Sequence, residues 1–112
     1  MKTLISIIVN CYNGEKYLKD TIQSVLNQKY QNWEMIFWDN QSNDNSKKII
    51  NKYNDNRIKY FYSNKKLPLY AARNEAIKKS SGELIAFLDT DDWWDEKYLS
   101  SKTEFFDDAN ID

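Results

Sequence analysis

Three times in 112 residues an apolar run stops abruptly at a polar loop and an amphipathic stretch follows. The first run, Leu4-Ile5-Ser6-Ile7-Ile8-Val9, is rich in β-branched residues and ends at Asn10, ahead of the turn signal Asn13-Gly14. That pattern describes a strand buried on both faces. The second, Trp33 to Trp38, ends at Asp39-Asn40-Gln41-Ser42-Asn43-Asp44-Asn45-Ser46. The last lies within Glu83 to Asp89 and runs into Asp89-Thr90-Asp91-Asp92.

Helical spacing fills the intervals. Leu18, Ile22, Val25 and Leu26 recur along Glu15 to Asn27, with Asn13 placed to cap the start through its side chain. Ile49, Ile50 and Tyr53 share a face in Ser46 to Tyr53, and Leu69, Ala72, Ala76 and Ile77 repeat before Ser81-Gly82 closes the next helix. Asp95 is placed to cap a last helix carrying Tyr98, Leu99, Phe105 and Phe106. Arg57 to Tyr62 alternates and reads as a sheet-edge strand. Strands alternating with helices imply right-handed crossovers, so the expectation is an α/β fold with an open, mainly parallel sheet and flanking helices.

Composition narrows the partners. With 41% hydrophobic and 15% aromatic residues the chain can build one core, so residues 1–112 are expected to form a single domain. Lys and Arg number 16 against 17 Asp and Glu and are scattered in sequence, so no electropositive face for nucleic acid is expected. Cys11 alone gives no disulfide framework and fits a reducing compartment, and the run Leu4 to Val9 is too short for a signal peptide or a membrane span. A cytoplasmic chain is expected, with any peripheral membrane association left to segments outside it.

In open α/β sheets ligands bind beyond the carboxyl ends of the strands, where strand order reverses. Three loops could converge there: Asn10-Cys11-Tyr12-Asn13, Asp39-Asn40 and Asp89-Thr90-Asp91-Asp92. In an extended segment Asp89 and Asp91 would project to one side and share a hard cation such as Mg²⁺ or Mn²⁺, or divide a cation and a ribose hydroxyl between them. Such a cation keeps positions open for phosphate oxygens and offsets the charge on a diphosphate leaving group. The plainer reading makes the acids a solvated loop capping the following helix; their place straight after an apolar run favours the site. An EF-hand is excluded, because its glycine position would be Trp94 and its bidentate acid Ser100. Asp39 and Asn40 together offer acceptors and a donor that suit a pyrimidine edge, or they belong to a run that simply caps the helix near Ser46. Tyr12 could stack on a base, although the chain has eight tyrosines and most must be packing residues. Arg73 could reach a phosphate as a bidentate donor or pair with a sheet-end carboxylate. Trp93 and Trp94 could floor a sugar site or be packing.

Taken together, Ile7 to Asn13, Ser24-Val25-Leu26-Asn27-Gln28, Trp38 to Ser46, Ala72-Arg73-Asn74 and Gly82 to Asp92 resemble family 2 glycosyltransferases in order and spacing across nearly the whole chain. The resemblance implies a GT-A fold, a nucleoside-diphosphate-sugar donor, foremost a UDP-sugar, and transfer to an acceptor hydroxyl by direct displacement. Polysaccharide or glycan synthesis on a carbohydrate or lipid-linked acceptor would be the setting. Carried over by position, Tyr12, Asp39 and Asn40 would border the base together with Asn10, Asp89 would approach the ribose, Arg73 the phosphates, and Asp91 or Asp92 would hold the metal in a DxD motif.

Three departures stand out. Members often have proline where Asn10 or Cys11 stands, a second acid followed by glycine where Asn40-Gln41 stands, and a glycine-containing segment where Lys66-Leu67-Pro68-Leu69-Tyr70 stands. Complete members also continue beyond the acidic motif and carry the catalytic base there. The base is therefore expected outside this chain, and Asp107, Asp108 and Asp112 come too late to supply it. The chain reads as the donor-binding part of a longer enzyme. The competing classes are a doubly wound Mg²⁺-binding signalling module, which would want acids where Asn10-Cys11 stands, and a nucleotidyl transferase, which would want a glycine-rich basic loop after the first strand.

Overall fold

The computed structural model describes residues 3–109, with side chains described through residue 104. Four strands alternate with four helices: β1 (Ile5–Cys11), α1 (Leu18–Leu26), β2 (Trp33–Asp39), α2 (Ser46–Ile50), β3 (Ile58–Tyr62), α3 (Leu69–Lys78), β4 (Leu84–Phe87) and α4 (Tyr98–Ala109). The sheet order is β3-β2-β1-β4 and every pairing is parallel. Strand order thus reverses at β1, between β2 on one side and β4 on the other. The alternation in the sequence demanded this, since a parallel neighbour can be reached only through a crossover.

Because β1 is central, both of its faces are covered. Ile5, Ile7, Val9 and Cys11 pack with Leu18, Ile22 and Val25 of α1, Ile50 of α2 and Leu99 of α4. Ile8 points the other way, into a smaller cluster with Ile36, Trp38 and Ala72 and Ala76 of α3. Small residues on α3 let that helix lie close to the sheet. Each buried Ile, Leu or Phe side chain contributes about 1.5–3 kcal/mol from its removal from water. The edge strands are only half covered, with Ile85 and Phe87 of β4 exposed.

Helix starts differ from expectation. Asn13 caps nothing: it takes a left-handed conformation, φ 52°, and its Oδ1 accepts from the Asn43 amide at 2.8 Å. Helix α1 begins instead at Leu18, after a turn over residues 15–17, without a side-chain cap. The local helix signal loses to a longer-range bond that ties the β1 and β2 loops together. Asp95 does support the approach to α4, its Oδ1 accepting from the Lys97 amide at 2.9 Å. Buried Gln28 links the two helices, donating to the Asp95 carbonyl at 2.6 Å and accepting from the Leu99 amide at 3.0 Å. The side chains of Phe105, Phe106, Asp107 and Asp108, and Asp112 as a whole, lie outside the described residues. Among the described residues no helix is long and apolar enough to cross a membrane.

Candidate functional site

The loops after β1 and β4 form one crevice, and the loop after β2 packs behind the first, the Asn40 amide donating to the Cys11 carbonyl at 2.7 Å. A shallow crevice of about 390 Å³ at the carboxyl ends of β1 and β4 is lined by Asn10, Tyr12, Gly14, Asp89, Thr90 and Asp91, among others. Parallel pairing brings this about, since Leu88 donates to the Ile8 carbonyl at 3.0 Å and so sets Asp89 beside the end of β1.

The acidic segment is a tight turn rather than an extended stretch, closed by the Asp92 amide donating to the Asp89 carbonyl at 3.1 Å. Its position is fixed from α1: the Thr21 hydroxyl lies 3.0 Å from the Thr90 carbonyl and 2.6 Å from the Asp92 carbonyl. Close approach from the other side requires Gly14, where a Cβ would fall 2.6 Å from the Thr90 hydroxyl. Asp89 and Asp91 line the crevice. Asp92 does not, and its Oδ1 accepts from the Trp93 amide at 2.8 Å. Neither Thr21 nor Thr90 was singled out by sequence spacing, although Thr90 sits between the acids.

Asp39 and Asn40 sit lower than the sequence suggests. Asp39 is fully buried, its Oδ1 accepting from the Ser42 amide at 2.8 Å and its Oδ2 from the Tyr60 hydroxyl at 2.6 Å. Burial, the bond to Asp39 and that carboxylate's charge push the Tyr60 phenol well above its ordinary range, so it stays protonated and donates. The Asn40 side chain grips the backbone of Leu67, accepting from its amide at 2.9 Å and donating to its carbonyl at 2.7 Å. This clamp holds the segment before α3 against the end of β2, and the Lys66 ammonium beside it lies 3.5 Å from the centre of the Tyr12 ring. The segment that departs from the family's glycine-containing pattern thus reaches the crevice only through the contact of Lys66 with Tyr12.

Arg73 takes the second of its two expected roles here, lying 3.9 Å from the Asp89 carboxylate and 5.0 Å from the centre of the Phe87 ring. Both partners of this pair are well exposed, which makes it weak and easily exchanged for another anion. At the crevice wall the Asn10 amide nitrogen is buried and has no hydrogen-bond partner among the described residues. Cys11, next to it, is buried on the other face, and burial raises its thiol above the ordinary value, so it behaves as a small apolar side chain. Trp93 is two-thirds exposed, whereas Trp94 is buried and stacks on Tyr98 at 4.4 Å.

Among the described residues no three His, Cys, Asp or Glu side chains form a metal-binding group. What the crevice offers is the two carboxylates of Asp89 and Asp91, both hard oxygen donors and both free of backbone caps among the bonds described. That set fits Mg²⁺ or Mn²⁺, cations bound through one or two carboxylates with water and substrate phosphates completing the shell.

Comparison with known proteins decides the family. The model of Glycosyl transferase family 2 matches residues 6–112. The chain belongs to that family. The family 2 chain is 39% identical over 106 residues to the putative teichuronic acid biosynthesis glycosyltransferase TuaG of Bacillus subtilis, a match covering 93% of this chain and 42% of TuaG. It is 43% identical over 91 residues to the Escherichia coli enzyme WfgD, a UDP-Glc:alpha-D-GlcNAc-diphosphoundecaprenol beta-1,3-glucosyltransferase, covering 81% of this chain and 36% of that one. Staphylococcus aureus TarS 1–349 in complex with UDP-GlcNAc superposes with a TM-score of 0.88 at 28% identity, over 95% of this chain and 32% of that one. The family 2 chain therefore spans well under half the length of these relatives, and its fold is the GT-A fold expected from the sequence.

Proposed function

We propose that this chain is the donor-binding domain of a metal-dependent glycosyltransferase that transfers a sugar from a UDP-sugar to a carbohydrate or lipid-linked acceptor in cell-surface glycan synthesis. The observation that carries the reading is the convergence of Asn10, Tyr12, Asp89 and Asp91 on one crevice at the point where strand order reverses. The relatives support the substrate classes: TarS was solved with UDP-GlcNAc, and WfgD is named for a UDP-sugar donor and a diphosphoundecaprenol-linked acceptor.

In this reading Tyr12 stacks on the base, Asp89 accepts from the ribose and Arg73 leaves Asp89 for the diphosphate. Asp91, with Asp92 as second candidate, holds Mg²⁺ or Mn²⁺, which would offset the charge on the departing nucleoside diphosphate. Asp39 and Asn40 border the base from below, shaping the crevice through Tyr60 and Leu67 rather than reaching into it. Asn10 takes the direct role. A buried amide without a partner costs about 1–3 kcal/mol, and an acceptor on the base or ribose relieves that cost on binding. The proline that family members often carry where Asn10 or Cys11 stands has no side-chain donor to offer. The catalytic base is assigned to residues outside this chain, so the chain binds donor without turning it over.

Titration calorimetry of UDP and UDP-sugars with and without Mn²⁺ tests the reading. Binding should require the metal, and Asp91→Ala should weaken it at least tenfold. Absent or metal-independent binding, unchanged in Asp91→Ala, would sink it.

A further inference from the structure

The lysines that look scattered in the sequence are partly gathered by the fold. Helices α1 and α2 lie side by side on one face of the sheet, and between them runs a groove of about 390 Å³ whose lining includes Lys16, Lys19, Lys48 and Lys52 with Glu15 as its one acid. All four lysines are exposed, and among the described residues none makes an ion pair. On a chain of net charge −1, four unpaired cations against one carboxylate is a local excess. The opposite sign collects on the other flank of α1, where a second hollow is lined by Asp20, Asp95 and Glu96 and by no basic residue. Glu96 there is paired with Lys29 at 3.8 Å, so the stronger local imbalance is the lysine excess between α1 and α2.

We propose that the α1–α2 lysine groove docks the protein onto an anionic phospholipid bilayer. Four exposed ammonium groups without carboxylate partners among the described residues match a plane of dispersed phosphate headgroups, each lysine contributing independently and losing its effect within a Debye length. The placement serves the site. Lys16 lines both this groove and the donor crevice, so docking sets the mouth of the crevice beside the membrane plane. This rests on the reading above only for its purpose, because a lipid-linked acceptor is confined to that plane.

Co-sedimentation with vesicles tests it, using equimolar phosphatidylglycerol and phosphatidylcholine against phosphatidylcholine alone at about 0.1 M salt, where the screening length is about 10 Å. The 112-residue chain should partition onto the anionic vesicles only. The variant Lys19→Gln/Lys48→Gln/Lys52→Gln, which leaves Lys16 in the crevice, should lower partition on the order of 100-fold. The variant Lys78→Gln/Lys79→Gln/Lys102→Gln removes equal charge from other faces and should lower it far less. No binding to anionic vesicles, equal loss in the two variants, or displacement by inorganic pyrophosphate or an RNA oligonucleotide at matched ionic strength would overturn the proposal. Circular dichroism of both variants separates lost docking from lost folding. Titration with UDP and Mn²⁺ reads the donor crevice on its own, so vesicle partition without nucleotide binding would overturn the donor reading and leave the docking surface standing.

Discussion

Glu34 at the amino end of the sheet and the acids of the turn after β4 at its carboxyl end are held in opposite ways. At the amino end Glu34, on β2, is almost completely buried and receives bonds from the Ser6 hydroxyl at 2.6 Å, the Lys59 ammonium at 2.8 Å and the Ser81 amide at 2.6 Å. Burial opposes its ionisation, but those donors from β1, β3 and the loop before β4 outweigh burial and bring its pKa down to about 2. One ionised side chain therefore stitches together the starts of all four strands. At the carboxyl end Asp89 and Asp91 are exposed and form no such network; the one ion pair described there is the loose contact with Arg73. The acid that holds the strand starts together is saturated with donors, and the two acids that line the crevice are left unsaturated.

The contrast can be broken most directly at Glu34. Glu34→Ala strands Lys59, Ser6 and Ser81 together and should lower unfolding free energy by about 2–3 kcal/mol in urea titration, a loss typical of a dismantled buried pair. The same group sets an acid limit. Its folded pKa of about 2 lies below the reference value of 4.5, so its contribution is complete above pH 4.5 and drains away as pH falls toward 2. That contribution is at most about 3 kcal/mol, and Glu34→Gln should flatten the slope of stability over that window. Gly82→Ala attacks the same seam: the added Cβ would sit 2.5 Å from the Ser6 hydroxyl and 2.7 Å from the Ser6 amide nitrogen. Thermal melts should show a loss of about 1–3 kcal/mol.

At the other end effects on stability should shrink or reverse. Gln41 holds φ 67°, the left-handed conformation, at the position where the family often has glycine. Relief of that conformation outweighs the extra entropy glycine loses, so Gln41→Gly should stabilise by about 0.5–1 kcal/mol in urea titration. Asp91→Ala should change stability least, within about 0.5 kcal/mol, while abolishing the metal dependence of UDP binding. A loss above that range would show that the acidic turn is structural and would erase the comparison.

Fold and site differ in how far the sequence disclosed them. Strand and helix types follow from local pattern, which acts over a few residues, so the apolar run Leu4 to Val9 and the helical spacing of Leu18 to Leu26 carry into the structure. Site chemistry depends on who stands opposite, and that is set by the fold. Asp39 looks like a base reader next to Asn40, but Tyr60, 21 residues away, takes one of its oxygens. Glu34 passed unnoticed inside an aromatic and aliphatic run because its partners Ser6 and Ser81 lie 28 and 47 residues distant. The lysine groove is hidden in the sequence for the same reason, since Lys16 and Lys19 at the start of α1 meet Lys48 and Lys52 at the end of α2 only after folding. Asn13 was misplaced as a helix cap because Asn43, which its side chain actually serves, is 30 residues on.

The sheet order has a consequence for how the molecule assembles. β1 meets β2 across a separation of 28 residues, as at Ser6 and Glu34, but meets β4 only across 79, as at Leu4 and Glu83. Closing the longer loop costs about 1 kcal/mol more in chain entropy. β4 should accordingly be the last strand to join the folding nucleus, and the acidic turn that follows it completes the crevice at the end of the pathway. If the crevice binds a nucleotide as proposed, capture would begin only once the whole sheet is in register, and its occupancy would report finished folding.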